Sequence, residues 1–425
     1  MACLPESSLE PNPDQTMNNK FKALIDVSAR EINRMTSRPL YFLAVVILPL
    51  LSLLFFVSLM KEGVPVKLPI AVVDYDHTAL SAKFRRTIDA TPGSSVVMTP
   101  ATEHEALSEL RKGNIYGYVV LPHNLQADIM NGSQPVVRFY YQNGLLIAGG
   151  LIQNDLTVTL HTLSAGVNKQ KREAMGQDVP SVYAAIQPVK PEAHLLFNPE
   201  TSYPVYVTSI MLPIMLQIFI LMITVYSIGI EIKERTSREW LRISGKSVAV
   251  ALTGKLLPYT AIFFILTMFS NFLLFRVLMI PLNTGIIYLV MLSLLYVLAY
   301  QAIAVFFVGL LPMMRHSLNL AAFYGILALT LCGFSFPIEH MPEVFRLWAE
   351  AFPVRHYMHI FQSQILAGFD FVYAAPSYLK FMLFLLLPFA VIYRLKSALI
   401  YQNFIEKIQI TDAALAVVSE KSHIQ

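Results

Sequence analysis

The residues of this 425-residue chain that come nearest to phosphate chemistry are Ser244-Gly245-Lys246-Ser247. A phosphate-binding loop wraps backbone N–H groups around phosphates, and its pattern requires a glycine five positions before the Gly-Lys pair. Trp240 occupies that position, and no predicted strand precedes it. The sequence therefore argues against ATP binding by this chain.

Two histidines, His356 and His359, are spaced i, i+3 on a predicted short helix, with His340 and Glu339 nearby. Imidazole nitrogens can share a metal ion, but no fixed third ligand is visible. Packing and hydrogen bonding explain the pair better, so no metal site and no catalytic residue is assigned.

A second candidate cluster, Asp74, Asp76 and His77, follows a predicted strand. These side chains could bind a metal or act in catalysis. Side-chain oxygens in a turn, however, accept the free backbone N–H groups at a helix start, and Thr78 comes next. A turn followed by a helix N-cap is the preferred interpretation.

Most of the elements that position these residues must lie in a membrane. Hydrophobic residues make up 55% of the chain and charged residues only 14%, whereas soluble domains contain about 25% charged residues. This composition excludes an ordinary soluble enzyme and a disordered chain. Cys3 and Cys332 stand at opposite ends and provide neither a disulfide framework nor a thiolate metal site. The modest net charge of +4 predicts no nucleic-acid partner.

Six stretches are long and apolar enough to cross a membrane, which takes about 20 apolar residues per span. They are residues 40–60, 204–229, 256–275, 286–310, 318–334 and 377–393. All are uncharged except the last, where Lys380 could extend its side chain to the headgroups. The predicted fold is an α-helical polytopic membrane protein with six transmembrane helices.

The distribution of Lys and Arg sets the orientation of these spans, because basic residues concentrate in short cytoplasmic segments. Short segments on one side hold sixteen Lys and Arg, and those on the other side hold only Arg276, Arg346 and Arg355. Both termini are therefore predicted to be cytoplasmic, with residues 1–39 as the N-terminal tail and residues 396–425 as the C-terminal tail.

Residues 61–203 lie between the first span, 40–60, and a five-helix transmembrane part, 204–395. They carry basic and acidic residues in nearly equal number, as a soluble domain does. Strands are predicted at 68–73, 95–98, 116–121 and 136–141, and helices at 78–90, 103–112, 125–130 and 145–175. Strands that alternate with helices indicate an inserted α/β extracytoplasmic domain with one sheet and a long last helix.

Before the first span, apolar residues recur at near-helical spacing between basic residues. They predict an amphipathic helix that lies in the inner membrane interface, although a simple stop-transfer flank would have the same composition. The apolar residues are Phe21, Leu24, Ile25, Val27, Ile32 and Met35.

A few uncharged polar residues occur inside the predicted spans. They could line a transport path, or they could hold helices together by interhelical hydrogen bonds, which is the commoner use. The possible pathway-lining residues are Gln217, Thr224, Ser270, Asn271, Tyr300, Gln301 and Thr330. Because five spans contain no charged residue, an ion-coupled transporter with its own proton or sodium relay is disfavoured.

The loop after the second span, residues 230–255, begins with a charged segment that also contains Ile232, Trp240 and Leu241. Such a segment could form an amphipathic elbow that docks on a cytosolic partner, with Trp240 and Leu241 giving buried area. The alternative is a solvated loop that obeys the positive-inside rule.

Several stretches between about residues 21 and 405 share the pattern of one protein family. They are Arg38-Pro39 before an apolar span, Ile70-Ala-Val-Val-Asp-Tyr-Asp76, Glu231 to Leu241 with Gly254-Lys255-Leu-Leu-Pro258, and Phe336-Pro337-Ile-Glu-His-Met341-Pro342 with Phe352-Pro353 and Ile365-Leu-Ala-Gly368. The order of one span, a large outer domain and five spans agrees. The chain resembles the membrane-spanning permeases of the type 2 ABC transporter family, in the subgroup with a large extracytoplasmic domain.

The resemblance implies a permease that dimerises with a second copy or a related permease and is driven by a separate cytosolic ATPase. ATP and Mg would bind that partner, and no cofactor is expected in this chain. The implied ATPase-coupling residues of the elbow are Glu231, Glu234, Arg235, Arg238, Glu239, Trp240 and Leu241. The segment 335–368 would form short re-entrant helices on the outer side, with Pro337, Met341, Pro342, Pro353 and Gly368.

The function that this resemblance predicts is export of a hydrophobic or amphiphilic substrate, such as a drug-like compound or a lipid, across a bacterial inner membrane. Uncharged spans support this substrate class, since they offer no charged binding group. Residues 61–203 would extend into the periplasm and meet a membrane fusion protein or an outer-membrane channel, and membrane lipids would surround the spans. The alternative is a non-transporting membrane receptor or sensor that uses the periplasmic domain.

Overall fold

The computed structural model describes residues 13–61, 63, 65–176, 203–334 and 336–401. The chain divides into residues 1–61 with 196–425, here called the membrane unit, and residues 62–195, here called the α/β unit. Each unit is described by itself. The ends of both predicted tails, residues 1–12 and 402–425, lie outside the described residues.

The first two helices of the membrane unit are α1, Pro13–Ser37, and α2, Pro39–Lys61, which contains a π-helical turn at Leu43–Ile47. Arg38 separates them. The ring of a proline disfavours helical backbone angles at the residue before it, and Arg38 is extended, with φ −117° and ψ 97°. The chain therefore turns between α1 and α2.

Helix α1 is amphipathic, but its buried face is not purely apolar. Phe21, Ile25 and Ile32 are exposed, as expected for a helix that lies at a membrane interface. On the opposite face, the carboxylate of Glu31 is buried beside Val27, one helical turn away. A buried charge requires partners, and these come from other helices of the membrane unit.

The α/β unit contains a four-stranded sheet with strand order β2-β1-β3-β4. Its elements are β1 Leu68–Asp74, α3 Ala79–Asp89, β2 Ser94–Met98, α4 Glu103–Lys112, β3 Gly117–Leu121, α5 Leu125–Met130, β4 Arg138–Tyr141 and α6 Leu146–Ala174. Strand β1 pairs in parallel with β2 and β3, and β4 pairs antiparallel to β3. Every strand and helix predicted in this region is present, within two residues of its predicted bounds.

Both faces of this sheet are covered, because successive side chains of a strand point to opposite faces. Ile70 of β1 belongs to a core with Ile152 of α6. Ala71, the next residue of the strand, belongs to a second core with Ala106 of α4. The long helix α6 and the helix α4 therefore pack on opposite faces of the sheet.

The acidic cluster after β1 is a turn. Asp74 Oδ1 accepts the backbone N–H groups of Asp76 and His77, each at 3.0 Å. Thr78 then caps α3 in a reciprocal pair of hydrogen bonds with Ser81. The interpretation of this cluster as a turn and a helix N-cap is confirmed.

The rest of the membrane unit consists of helices that share one apolar core. They are α7 Tyr203–Lys233, α8 Ser237–Ile243, α9 Val248–Phe272, α10 Ile286–Leu310, α11 Met314–Leu331, α12 Glu343–Ala349, α13 Pro353–Ile360, α14 Phe371–Phe384 and α15 Leu387–Tyr401. Helices α9 and α13 continue into π-helical turns, Leu273–Val277 and Phe361–Leu366.

Among the described residues, five helical stretches are long and apolar enough to cross a membrane. They are Pro39–Lys61, Tyr206–Lys233, Val248–Val277, Ile286–Leu310 and Phe371–Tyr401. The span predicted at 318–334 corresponds to α11, which carries Arg315 and His316 in its first turn and is not among the five. A total of six spans therefore stays a prediction.

The span predicted at 377–393 is divided between α14 and α15. Pro388 has no N–H to bond the carbonyl of Phe384, and its ring crowds that carbonyl, so the regular helix is interrupted. Lys380 lies on α14, and its Nζ is 2.6 Å from Glu350 Oε2. The one charge of this predicted span therefore has a protein partner.

Candidate functional site

Glu231, near the end of α7, is the centre of an ionic cluster in the membrane unit, and its carboxylate is fully buried. Arg30 of α1 donates to both oxygens, at 2.8 and 3.2 Å, and Arg34 lies 2.5 Å from Oε1. Lys255 of α9 lies 2.8 Å from the same oxygen, and Thr236 Oγ1 donates to Oε2. Charge-assisted hydrogen bonds thus join α1 and α9 to one carboxylate near the end of α7.

Lys255 also reaches a second buried carboxylate, that of Glu31 in α1. Lys255 Nζ lies 2.5 Å from Glu31 Oε2, and the Tyr259 hydroxyl donates to Glu31 Oε1 at 2.6 Å. The Tyr41 hydroxyl of α2 hydrogen-bonds to that of Tyr259. Removing one partner of a buried ion pair leaves an uncompensated charge, so the contact between Lys255 and Glu31 holds α1 against α9. The bond between Tyr41 and Tyr259 attaches α2 to α9.

The cluster reaches the surface at Glu234. Arg34 donates to Glu234 Oε2, and Arg38 donates to both oxygens, at 2.9 and 3.4 Å. The hydrogen bonds from Arg38 hold the pKa of Glu234 below its ordinary value. The ionic cluster, as named here, consists of Arg30, Glu31, Arg34, Arg38, Glu231, Glu234 and Lys255.

Gly254 allows α1 to pack closely against α9 beside this cluster. A Cβ at position 254 would lie 3.0 Å from the Leu24 carbonyl oxygen and 3.0 Å from Val27 Cβ. Ser28 Oγ donates to the Gly254 carbonyl oxygen at 2.7 Å. The backbones of the two helices approach so closely here that a side chain at 254 would force them apart.

The predicted elbow residues divide between the interior and the surface. Glu231 is buried in the ionic cluster, while Trp240 and Leu241 of α8 are buried in the core of the membrane unit. The expectation that Trp240 and Leu241 offer apolar area to a partner is therefore wrong. The rest of this chain already covers both side chains.

The exposed face of α8 and its flanking turns is charged. Its exposed residues include Arg235, Arg238, Glu239, Arg242 and Lys246. Arg238 Nε donates to the Ile400 carbonyl oxygen at 3.0 Å, and Ser237 Oγ donates to that of Leu399 at 2.8 Å. Helix α8 is thus attached to α15 on one side and leaves a polar surface on the other.

Lys255 connects the ionic cluster to α8. Its Nζ lies 5.2 Å from the centroid of the Trp240 ring, which is a cation–π distance. The indole Nε1 of Trp240 is buried and has no hydrogen-bond partner in the part of the chain that the structure describes. Trp240 therefore serves as packing between α8 and the cluster.

Two of the possible pathway-lining residues, Gln217 and Tyr300, are buried in one hydrogen-bonded group. The Tyr300 hydroxyl donates to Gln217 Oε1 and accepts the Val354 N–H at 3.0 Å. Gln217 Nε2 donates to the Gly325 carbonyl oxygen at 3.2 Å. These bonds join α7, α10, α11 and the start of α13, which is the helix-association role of polar residues in membranes.

Two more of these residues also bond between helices. Asn271 Nδ2 donates to Ser293 Oγ at 2.9 Å, and Gln301 Oε1 accepts from Thr260 Oγ1 at 2.8 Å. The remaining three are Ser270 and Thr224, which are buried, and Thr330, which is exposed. A pathway-lining role for the seven residues stays a prediction.

The predicted outer segment, residues 335–368, contains short helices whose ends fall at the predicted residues. Pro342 immediately precedes α12, and Pro353 is the first residue of α13, where a backbone N–H would lack a helical partner anyway. Gly368 has φ 71°, which favours glycine. Pro337 and Met341 flank a 3₁₀ turn, Ile338–His340.

His356 and His359 of this segment bond to protein groups. His356 Nε2 lies 3.1 Å from the Glu350 carbonyl oxygen, and His359 Nδ1 lies 3.1 Å from Ser377 Oγ. Within residues 13–61, 63, 65–176, 203–334 and 336–401, no group of three His, Cys, Asp or Glu side chains could hold a metal ion.

Sequence reasoning missed most of the ionic cluster. Arg30, Arg34 and Arg38 enter the positive-inside count, but the spacing of four residues between Arg30 and Arg34 also places these two on one face of α1, a signal that was available. Lys255 directly precedes the predicted span at 256–275. Because α9 starts earlier, Lys255 lies inside a spanning helix, and the prediction that the spans before the last carry no charge needs correction.

These features define a polytopic membrane protein with a soluble-type α/β unit in its sequence. The chain matches the family described as "ABC-2 family transporter protein" over residues 40–395. It belongs to the ABC-2 transporter family and is a permease of that family. Membership implies an ATPase partner and pairing with another permease. No curated protein matches the sequence.

Proposed function

We propose that this chain is the permease subunit of an ABC exporter that moves a hydrophobic or amphiphilic substrate out across a bacterial inner membrane. A separate ATPase subunit would bind ATP and Mg²⁺ and supply the energy. The ionic cluster carries this proposal, because it joins α1, α7 and α9 next to α8, whose exposed face is charged.

The contacts of the cluster suit the transmission of movement. Lys255 of α9 forms an ion pair with Glu231 at the end of α7 and lies over the ring of Trp240 in α8. Since separating buried charges is unfavourable, we expect α8, the end of α7 and α1 to move together. A displacement of α8 would then reach α2 through α1 and the bond between Tyr41 and Tyr259.

The docking surface in this proposal is the charged face of α8. Charged groups at the rim of an interface steer association and set orientation, and Glu239 and Arg242 are exposed there. Trp240 would act inside the permease, by keeping α8 fixed to the ionic cluster, and would not touch the ATPase.

The proposed topology has six spans, with α11 as the fifth. Both termini would lie in the cytoplasm and residues 61–203 in the periplasm, and the distribution of Lys and Arg supports this orientation. The permease would pair with a second copy or a related permease. The α/β unit would meet a membrane fusion protein, and lipids would surround the exposed apolar faces of the helices.

The test is co-purification of the permease with its ATPase in lipid, followed by measurement of ATP hydrolysis. Charge reversal by Glu239→Lys or Arg242→Glu should lower both the yield of complex and the hydrolysis rate. Arg111→Glu is a matched control, because Arg111 is an exposed arginine in the α/β unit. It should leave both quantities unchanged.

If both reversals on α8 behave like the wild-type chain, the docking role of α8 is wrong. If no ATPase co-purifies with the wild-type permease, the alternative of a membrane receptor or sensor is favoured instead.

A further inference from the structure

Two cavities of the membrane unit meet at Lys380. The first has a volume of about 720 Å³ and a mixed lining that includes Arg355, His359 and Tyr373. The second has a volume of about 500 Å³, and its lining is aromatic and aliphatic apart from Glu350 and Lys380. Because Lys380 lines both cavities, a single charged side chain stands where a cavity of mixed lining adjoins an apolar one.

An ion triad occupies this junction. Arg355 Nη1 lies 2.6 Å from Glu350 Oε1, and Lys380 Nζ lies 2.6 Å from Glu350 Oε2. One carboxylate therefore serves two cations, and the triad carries one excess positive charge. Glu339 also lines the first cavity, but in the described residues it forms no ion pair with either cation.

The triad has spare hydrogen-bond donors and few spare acceptors. A lysine ammonium has three N–H donors and an arginine guanidinium has five. Among the residues that the structure describes, Lys380 uses one donor in its bond to Glu350, and Arg355 uses only Nη1, which bonds Glu350 and the Arg346 carbonyl. Donor excess and positive charge together favour an acceptor-rich anion, such as a carboxylate or phosphate group.

The apolar cavity has a different chemistry. Phe306 and Phe307 of α10, Tyr324 of α11 and Leu383 of α14 contribute to its lining. Burial of a hydrocarbon group against such a surface is favourable, whereas a small free anion would find no favourable contact there. A ligand that satisfies both cavities must carry an acidic group at one end and an apolar body at the other.

We propose that the two cavities form one binding site for an amphiphile with an acidic headgroup, which Lys380 and Arg355 hold while the apolar body lies between α10, α11 and α14. The inference rests on the proposed export function and narrows its substrate class. The expectation that the spans offer no charged binding group does not hold at this site, because Lys380 of α14 and Arg355 of α13 supply one.

The test uses the purified permease alone in a neutral detergent. A medium-chain fatty acid, its uncharged primary amide and acetate compete for binding against a fluorescent fatty acid. The fatty acid should bind at least tenfold more tightly than the amide, on the order expected for a charge-assisted hydrogen bond. Acetate should not compete, because it has no apolar body.

Variants locate the headgroup. Lys380→Gln and Arg355→Gln should each weaken fatty-acid binding about tenfold, whereas Lys380→Arg, which keeps the charge, should retain most of it and control for misfolding. Arg346→Gln is the matched control. The substitution removes a half-exposed positive charge from the same outer segment, and the Arg346 side chain lines neither cavity. It should bind the fatty acid like the wild-type permease.

Equal binding of the acid and the amide, or equal effects of Lys380→Gln and Arg346→Gln, would overturn the proposal. Vesicle lipids distinguish two sources of the ligand. Competition by phosphatidylglycerol but not by phosphatidylcholine supports a membrane lipid as the amphiphile, and competition by neither supports a free amphiphile. The ATPase is absent from this assay, so failure of ATPase coupling and failure of this site are separate results.

Discussion

Lys255 Nζ lies 2.8 Å from Glu231 Oε1, and both side chains are fully buried. The same ammonium group lies 2.5 Å from Glu31 Oε2. A buried ion pair adds little stability over a well-packed apolar pair, but the loss of one partner is strongly destabilising. The position of α1 on the membrane unit therefore depends on this lysine.

Lys255→Met should lower the free energy of unfolding by about 3–5 kcal/mol, because it leaves the buried Glu31 without its cation. Thermal unfolding in detergent measures the loss. Lys20→Met, at an exposed position of α1, is the control and should change stability little. Adding Glu31→Gln to Lys255→Met should recover part of the loss, and no recovery would contradict this account of the pair.

Gly254→Val should separate α1 from α9. The added Cβ would meet the Leu24 carbonyl oxygen and Val27 Cβ, both at 3.0 Å, and backbone cannot move aside as a flexible side chain can. We expect a loss of about 1–3 kcal/mol, typical of overpacking, and faster proteolysis of α1. Gly166→Ala, where a Cβ would meet nothing within 4 Å, should be neutral or stabilising. Unchanged protection of α1 in Gly254→Val would contradict the close approach.

Tyr300→Phe should loosen the attachment of α13 to the spans. The substitution removes the hydroxyl that bonds Gln217 Oε1 and accepts the Val354 N–H. An unsatisfied buried polar group costs about 1–3 kcal/mol, which thermal unfolding detects. Tyr393→Phe, at a side chain that is 86% exposed, is the matched control. Similar unfolding temperatures of the two variants would show that the Tyr300 hydroxyl does not stabilise the attachment of α13 to the spanning helices.

The contribution of Glu234 should depend on pH. Its pKa is lowered in the folded chain by the hydrogen bonds from Arg38, so its stabilisation is present above the ordinary carboxyl pKa and is lost as the pH falls through the folded value. The stability difference between wild type and Glu234→Gln should therefore shrink on acidification. Because Glu234 is partly exposed, the difference is small. The stability difference between wild type and Arg38→Gln should also become smaller on acidification, because it depends on the same ionised carboxylate. A difference that stays constant with pH would contradict this ion pair.

The α/β unit shows what local sequence patterns can predict. Short apolar runs define the central strands β1 and β3, and Asp74 and Thr78 mark a turn and a helix start through bonds within a few residues. Such signals do not depend on the rest of the fold. The break between α14 and α15 was missed, although Pro388 supplies a local reason for it.

The ionic cluster shows where local patterns end. Glu31 and Lys255 are 224 positions apart in the sequence, and nothing near either residue indicates the other. Trp240 was expected to meet a partner because an exposed and a buried tryptophan look alike in a loop sequence. Its burial depends on α8 packing against Lys255 of another helix.

By itself, the sequence determined the membrane class, the strands and helices of the α/β unit, most of the spanning helices and the family resemblance, because all of these depend on composition and short-range periodicity. Only the tertiary structure decided which charges are buried, which face of α8 is exposed and that Lys380 lines two cavities. Those outcomes depend on contacts between residues far apart in the chain, and a long-range ion pair leaves no period in the sequence.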